Sequence, residues 1–208
     1  MIDGVEVTSQ AELRELLGDP ADSDANKDRP CLNEFDRQFL AASPFCVIAT
    51  AGPEGRCDAS PKGDPPGFVH VIDDTTIAIP ERPGNRRGDG FHNILGNPHI
   101  GLIFMIPGRG DTLRINGRAR LFRDAPFFDR MIVKGHRPKL AIVVDIEDVF
   151  YHCSKAFLRS ALWKPETWNP EAAPSRAVIA KGMERSHQSM EELERYYGPT
   201  YADKIYQG

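Results

Sequence analysis

Hydrophobic positions fall into two periods along this chain, and the change between them divides it. Ser9 and Glu12 have capping-box spacing, and Leu13, Leu16 and Leu17 form a helical stripe ended by Gly18. A short docking helix is expected there. Residues 19–30 are polar and turn-rich, an exposed connection. Asn33 can cap a second helix through about Ala42, with Phe35, Phe39 and Leu40 on one side.

From Phe45 the pattern becomes that of strands. Phe45–Ala51 is a short apolar run followed by a Gly-Pro-Glu-Gly turn, with Arg56–Ser60 as its hairpin partner. Pro61–Gly67 holds three prolines and two glycines and is predicted to be a rigid loop that ends the ladder. Phe68–Ile72 and Thr75–Pro80 make a second hairpin, and a helix is expected from about Arg86 to Leu95, stopped at Gly96-Asn97-Pro98. His99–Ile106 is apolar on both faces, which predicts a central strand covered on both sides. Thr112–Phe122 alternates: Leu113, Ile115, Ala119 and Leu121 face one way, and Thr112, Arg114, Asn116, Arg118 and Arg120 the other. Pro126–Val133 reads as a helix, Leu140–Asp145 as the last strand, Ser154–Trp163 as a helix, and the tail from Arg176 as helical and highly charged.

Six or so strands joined mostly by tight hairpins predict a mainly β (β+α) fold, taken as a six-stranded antiparallel barrel with peripheral helices. The expected division is an N-terminal helix and loop (1–30), the barrel (31–165) and a C-terminal helical tail packed on it (166–208). Rossmann and P-loop readings fail, because no G-x-G-x-x-G joins a strand to a helix and no G-K-[ST] occurs.

Composition adds little: 40% hydrophobic and 27% charged residues are ordinary for a globular protein of 208 residues. Cys31, Cys46, Cys57 and Cys153 lack zinc spacing, and three lie in or beside apolar runs, so buried free thiols are expected. No basic leader with an apolar core opens the sequence and no run approaches 18 apolar residues, so the expected home is the reducing cytoplasm.

Charge changes the picture. Between Arg82 and Arg123 there are eight arginines, no lysine and two acids, Asp89 and Asp111, inside a chain of net charge −4. Arginine used without lysine suits forked recognition of phosphate or carboxylate. Pro83-Gly84-Asn85-Arg86-Arg87 lies between a strand and a predicted helix, where a glycine turn exposes N–H groups and the positive dipole end. The cationic strand face carrying Arg114, Arg118 and Arg120 repels itself unless an anionic ligand or acidic partner lies over it. Ser60, Lys62 and Gly63 form a third candidate, able to meet a polar ring edge or a phosphate.

The order SPKGDPPGFV, IPERPGNRR, NPHIGLIF and IPGRGDTLRINGRA resembles the pyridoxamine-5′-phosphate-oxidase-like FMN-binding split-barrel family over roughly residues 30–165. The resemblance implies a split barrel and a homodimer with FMN at the subunit interface. It implies a phosphate step at Asn85, Arg86 and Arg87, ring and ribityl contacts at Ile79 and Pro80, and a flavin-edge loop at Asp58, Ala59, Ser60, Pro61, Lys62 and Gly63. It assigns Thr112, Leu113 and Arg114 to the partner subunit's flavin. The tail after Arg176 departs from the aromatic-rich ending of the true oxidases, so the substrate is an unidentified small molecule. With FMN bound, Lys62 or Arg114 would sit near the N1/C2=O edge, and His70, Arg159 and Trp163 are the substrate-side candidates. The other readings are a non-catalytic flavin sensor, an F420-dependent reductase and a barrel that grips single-stranded nucleic acid.

Overall fold

The structure is a computed structural model describing residues 2–207. Helix α1 (Gln10–Leu17) is capped by Ser9, whose hydroxyl accepts from the Glu12 N–H at 3.2 Å. It buries no residue, and Leu16 and Leu17 stay 67% and 68% exposed, so its stripe is not docked as expected. A short α2 (Asp22–Ala25) interrupts the polar connection. Helix α3 (Glu34–Ala42) has a full capping box, in which Asn33 accepts from the Asp36 N–H and Asp36 accepts from the Asn33 N–H. It buries Phe39 and Leu40 but leaves Phe35 exposed.

Seven strands follow, one for each strand segment read from the sequence and one more than a six-stranded barrel holds: β1 (Phe45–Ala51), β2 (Cys57–Gly63), β3 (His70–Val71), β4 (Thr76–Pro80), β5 (His99–Met105), β6 (Thr112–Phe122) and β7 (Ala141–His152). They form one antiparallel sheet in the order β2-β1-β5-β6-β7-β4-β3, curled around a core but not closed. Three expectations fail here for local reasons. Strand β2 runs through Pro61 to Gly63, with Pro61 opposite Val47, because an edge strand tolerates a missing donor. Strand β7 extends to His152, well past Asp145, to match the length of β6. And β5 is central in the sheet but bare on one face, with Ile103 36% exposed.

The core is built from the inward positions of these strands: Ile48, Ile77, Ile79, Leu102, Phe104, Leu113, Ile115, Val144 and Val149, closed by Phe39 and Leu40. Behind β4 and β7, Ala78, Ala141 and Val143 pack on Phe128 and Met131 of a 3₁₀ segment, Pro126–Met131, where an α-helix was expected. Gly117 sits at the β6–β7 register shift, and a Cβ there would lie 2.2 Å from the Asp145 carbonyl. Only a glycine fits that close approach.

Helix α4 (Asp89–Gly96) links β4 to β5, and α5 (Lys155–Ser160) follows β7. The tail folds as α6 (Arg176–Met183) and α7 (Met190–Tyr196), joined by a small core of Ala177, Ala180 and Leu193, then a 3₁₀ turn over Pro199–Lys204. Cys46 alone is buried; Cys31, Cys57 and Cys153 are exposed, against expectation, because a thiol beside an apolar run can still point off the outward face. Among the described residues no helix is long and apolar enough to cross a membrane, and no cluster of His, Cys, Asp or Glu is arranged to hold a metal ion.

Candidate functional site

A cleft of about 310 Å³ lies between β1, edge strand β2, the chain leaving β4 and the start of α4. Directly opposed residues of an antiparallel pair share a face. Asp58, Ser60 and Lys62 face Thr50, Ile48 and Cys46 across the β1–β2 ladder, and all three of the β2 side chains are half-buried. They form the polar row of the cleft. Ile48, Phe91, Ile94 and Ile142 form its apolar side.

The remaining wall is the start of α4. The helix begins at Asp89, three residues later than expected, with Gly88 as N-cap in the left-handed conformation (φ 69°). Asn85, Arg86 and Arg87 therefore lie in the preceding loop. The Arg87 N–H donates to the Asn85 side-chain oxygen at 3.0 Å, which curls the loop over the helix start. A Cβ on Gly90 would come within 3.3 Å of the Asp58 carboxylate and 3.5 Å of the Thr50 hydroxyl, so the first turn presents bare backbone to the cleft. Glycine-lined amides beside Asn85 and Arg87 form an anion cradle of the kind a phosphate requires.

Four of the five charges that line the cleft form two ion pairs, and Asp58 has no ion pair among the described residues. The Lys62 ammonium donates to Glu81 and lies 5.1 Å from the centre of the Phe91 ring. The Arg87 guanidinium donates to Asp89 at 2.7 Å, and this contact holds the Asp89 carboxyl below its ordinary value. Burial pushes the Cys46 thiol at the back of the ladder up to about 12, a shift that nearby Lys62 only partly opposes.

The structure brings together most but not all of the residues singled out from sequence. Asp58, Ala59, Ser60, Pro61, Lys62, Asn85 and Arg87 line the cleft. Arg86 does not: its backbone is left-handed (φ 60°) and it lines a separate groove on the outer side of the loop. Gly63, Ile79 and Pro80 also lie outside the lining, and Ile79 is wholly buried in the core. Thr112 and Leu113 are buried at the start of β6. Arg114 is half-buried, its guanidinium 4.9 Å from the centre of the Phe150 ring and its Nε without a hydrogen-bond partner among the described residues. His70 stacks on Phe127 on the opposite edge strand, β3, where burial lowers its pKa and Arg130 adds to the effect. Arg159 lies in the last turn of α5, and Trp163 stacks on Phe157 at 5.8 Å, its Nε1 buried and without a hydrogen-bond partner among the described residues. None of these three lines the cleft.

Sequence reasoning missed Glu81, Thr50, Gly88, Gly90 and Phe91. Glu81 was legible in principle, as the acid next to Pro80 at a strand end. The cationic face of β6 also resolves differently. Arg120 forms a forked pair with Asp145 at 2.8 and 3.0 Å, Arg118 contacts His99, and Arg114 stacks on Phe150. Of the three arginines, Arg120 alone has a carboxylate partner among the described residues.

Residues 32–153 match the pyridoxamine 5′-phosphate oxidase family, a span that takes in all seven strands, both sides of the cleft and α4. The chain belongs to that family. Its open seven-stranded sheet with peripheral helices is the family's split barrel. No curated protein matches the chain. Among solved structures it is similar to HupZ of Group A Streptococcus, at 20% identity over 59% of this chain and 95% of that one, with a TM-score of 0.48. An FMN-binding protein from Syntrophomonas wolfei is similar at 12% identity over 56% and 88% of the two chains, TM-score 0.43. An F420 reductase is similar at 15% identity over 58% and 98%, TM-score 0.40.

Proposed function

We propose that this member of the family is an FMN-dependent oxidoreductase acting on a small molecule, working as a homodimer in the cytoplasm. The observation that carries the reading is the anion cradle: Asn85 and Arg87 curl over the bare first turn of α4, directly above the polar row of β2.

FMN would supply hydride or electron transfer when bound. The chain's own residues bind and orient. Arg87, Asn85 and the amides of Gly88 and Gly90 hold the phosphate, with Arg87 exchanging Asp89 for it. Ile48, Phe91 and Ile94 exclude water from one side of the ring. Ser60 and Lys62 meet its polar edge, and Glu81 fixes the Lys62 ammonium there. A fixed cation at that edge favours negative charge as it develops.

A homodimer fits the same reading. A cleft of about 310 Å³ in one chain is at the small end of the roughly 300–1,000 Å³ that small-molecule sites occupy, so a second copy would complete it. The outer face of the sheet, with Ala49, Ala59, Pro61, Ile103 and Arg114 in line, is a surface of small and apolar side chains suited to that role. The orphaned Arg114 Nε fits a contact across it.

The test is the colour of the purified protein and the identity of what it releases. FMN binding gives absorbance at about 450 nm, the usual flavin band. Arg87→Ala should remove it while the fold survives. A colourless protein that takes up no added FMN overturns the reading, and a released deazaflavin would replace the cofactor.

A further inference from the structure

The tail beyond residue 153 builds a second cavity against the outer side of the Asn85–Arg87 loop, a groove of about 1350 Å³. Its walls carry six cations, Arg86, Arg87, Arg176, Arg185, Arg195 and Lys204, against two carboxylates, Glu184 and Glu192. Some of this charge is spent internally: Arg176 pairs with Glu184, Arg195 with Glu191 and Arg87 with Asp89. Arg86, Arg185 and Lys204 form no ion pair among the described residues.

Three tyrosines stand beside these cations. Tyr196, Tyr197 and Tyr201 pack on one another with ring centres 4.9–5.7 Å apart. The Arg185 guanidinium lies 4.5 Å from the Tyr196 ring centre and 5.8 Å from that of Tyr197. Tyr196 and Tyr201 nevertheless remain 48% and 49% exposed. A guanidinium on exposed aromatic faces offers a planar, positively charged platform. Arg86 completes the picture. Its left-handed backbone is costly for a residue with a Cβ, and that conformation turns it into the groove and away from the cleft.

We propose that this groove binds a nucleotide: a planar aromatic base against the Arg185–tyrosine platform, with its phosphates on Arg86 and Lys204. The site is distinct from the cleft and does not depend on the flavin reading, because its platform lies wholly in the tail. It shares only Asn85 and Arg87 with the cleft.

Equilibrium dialysis of the full chain against ATP, NADPH and inorganic tripolyphosphate at fixed salt tests it. The expected result is one saturable nucleotide site per chain, with tripolyphosphate bound more weakly. Arg185→Ala and Tyr196→Ala should each weaken nucleotide binding about tenfold, the size of a desolvated cation–aromatic contact. Tyr196→Phe should bind like the parent, and Arg185→Lys should not restore binding, which separates stacking from charge and guards against misfolding. Flavin content, read from absorbance, should be unchanged in all four variants. Absence of saturable binding at millimolar nucleotide overturns the proposal, as does tripolyphosphate binding as tightly as ATP. Flavin loss in Arg185→Ala would make the groove part of the cofactor's own site and also overturn it. Preference for a single-stranded oligonucleotide over both nucleotides would do the same.

Discussion

The Tyr206 hydroxyl donates to the Asp64 carboxylate, joining residues 142 positions apart. Asp64 takes Arg82 on its other oxygen, and Arg82 in turn holds the Met131 and His136 carbonyls. The Tyr206 ring also stacks on His136 at 5.7 Å. This part-buried hub ties the tail to the barrel. Tyr206→Phe leaves one Asp64 oxygen without its partner, a loss of about 1–3 kcal/mol. Amide exchange across α6 and α7 should then quicken while β5 and β6 keep their protection. Unchanged exchange in the tail would mean that Tyr206 does not anchor it.

A second buried carboxylate holds the front of the domain. Asp36 is fully buried and takes a forked pair from Arg29 at 2.5 and 2.9 Å as well as the Asn33 N–H. Removing the carboxylate unpairs Arg29 and leaves the Asn33 N–H without its acceptor, which breaks half of the capping box. Asp36→Ala should lower unfolding free energy by about 3 kcal/mol, read from the urea midpoint.

His70 gives the domain a mild acid sensitivity. Burial holds its folded pKa below the ordinary 6.5, and Arg130 reinforces the shift. Above pH 6.5 the imidazole is neutral in both states. As pH falls, the unfolded chain takes the proton first, so stability drops towards the depressed folded value. Urea titrations at pH 7.5 and 5.5 should show a smaller drop for His70→Gln than for the parent.

Thiol chemistry should divide the cysteines. At a pKa pushed up to about 12 and with no exposed surface, Cys46 is inert in the native state. Ellman's reagent should count Cys31, Cys57 and Cys153 before unfolding and Cys46 only after it.

Two glycine substitutions should move stability in opposite directions. Gly117→Ala drives a Cβ into the Asp145 carbonyl across the register shift and should lower the melting temperature sharply. Gly182→Ala, in α6 with nothing within 4 Å of the added methyl, should raise it, since alanine is favoured over glycine by about 1 kcal/mol in a helix.

Much of the fold could be read from the sequence where burial enforces a period. Thr112–Phe122 alternates because one face meets the core, whereas Phe45–Ala51 and Thr75–Pro80 stand out as short runs bounded by turns, the second buried on both faces. The failures have physical sources. Pro61 looks like a terminator until its strand is known to be at the edge. The stripe of Leu13, Leu16 and Leu17 says nothing about whether a partner covers it. The site was legible as residue types from Asp58 to Lys62 and from Asn85 to Arg87. The separation of Arg86 from Arg87 was not, because it turns on one backbone dihedral angle. Nor was the function of the tail, whose cations and tyrosines meet only after α6 and α7 pack.

The order of the sheet has one further effect. Strand β2 carries the polar row of the cleft and is hydrogen-bonded to β1 alone. The cleft wall is thus an edge of the sheet braced on one side only, and its outer amides should be among the first to exchange with solvent. Ligand entry then needs only the bending of one hairpin, with the ladder from β5 to β4 left in register.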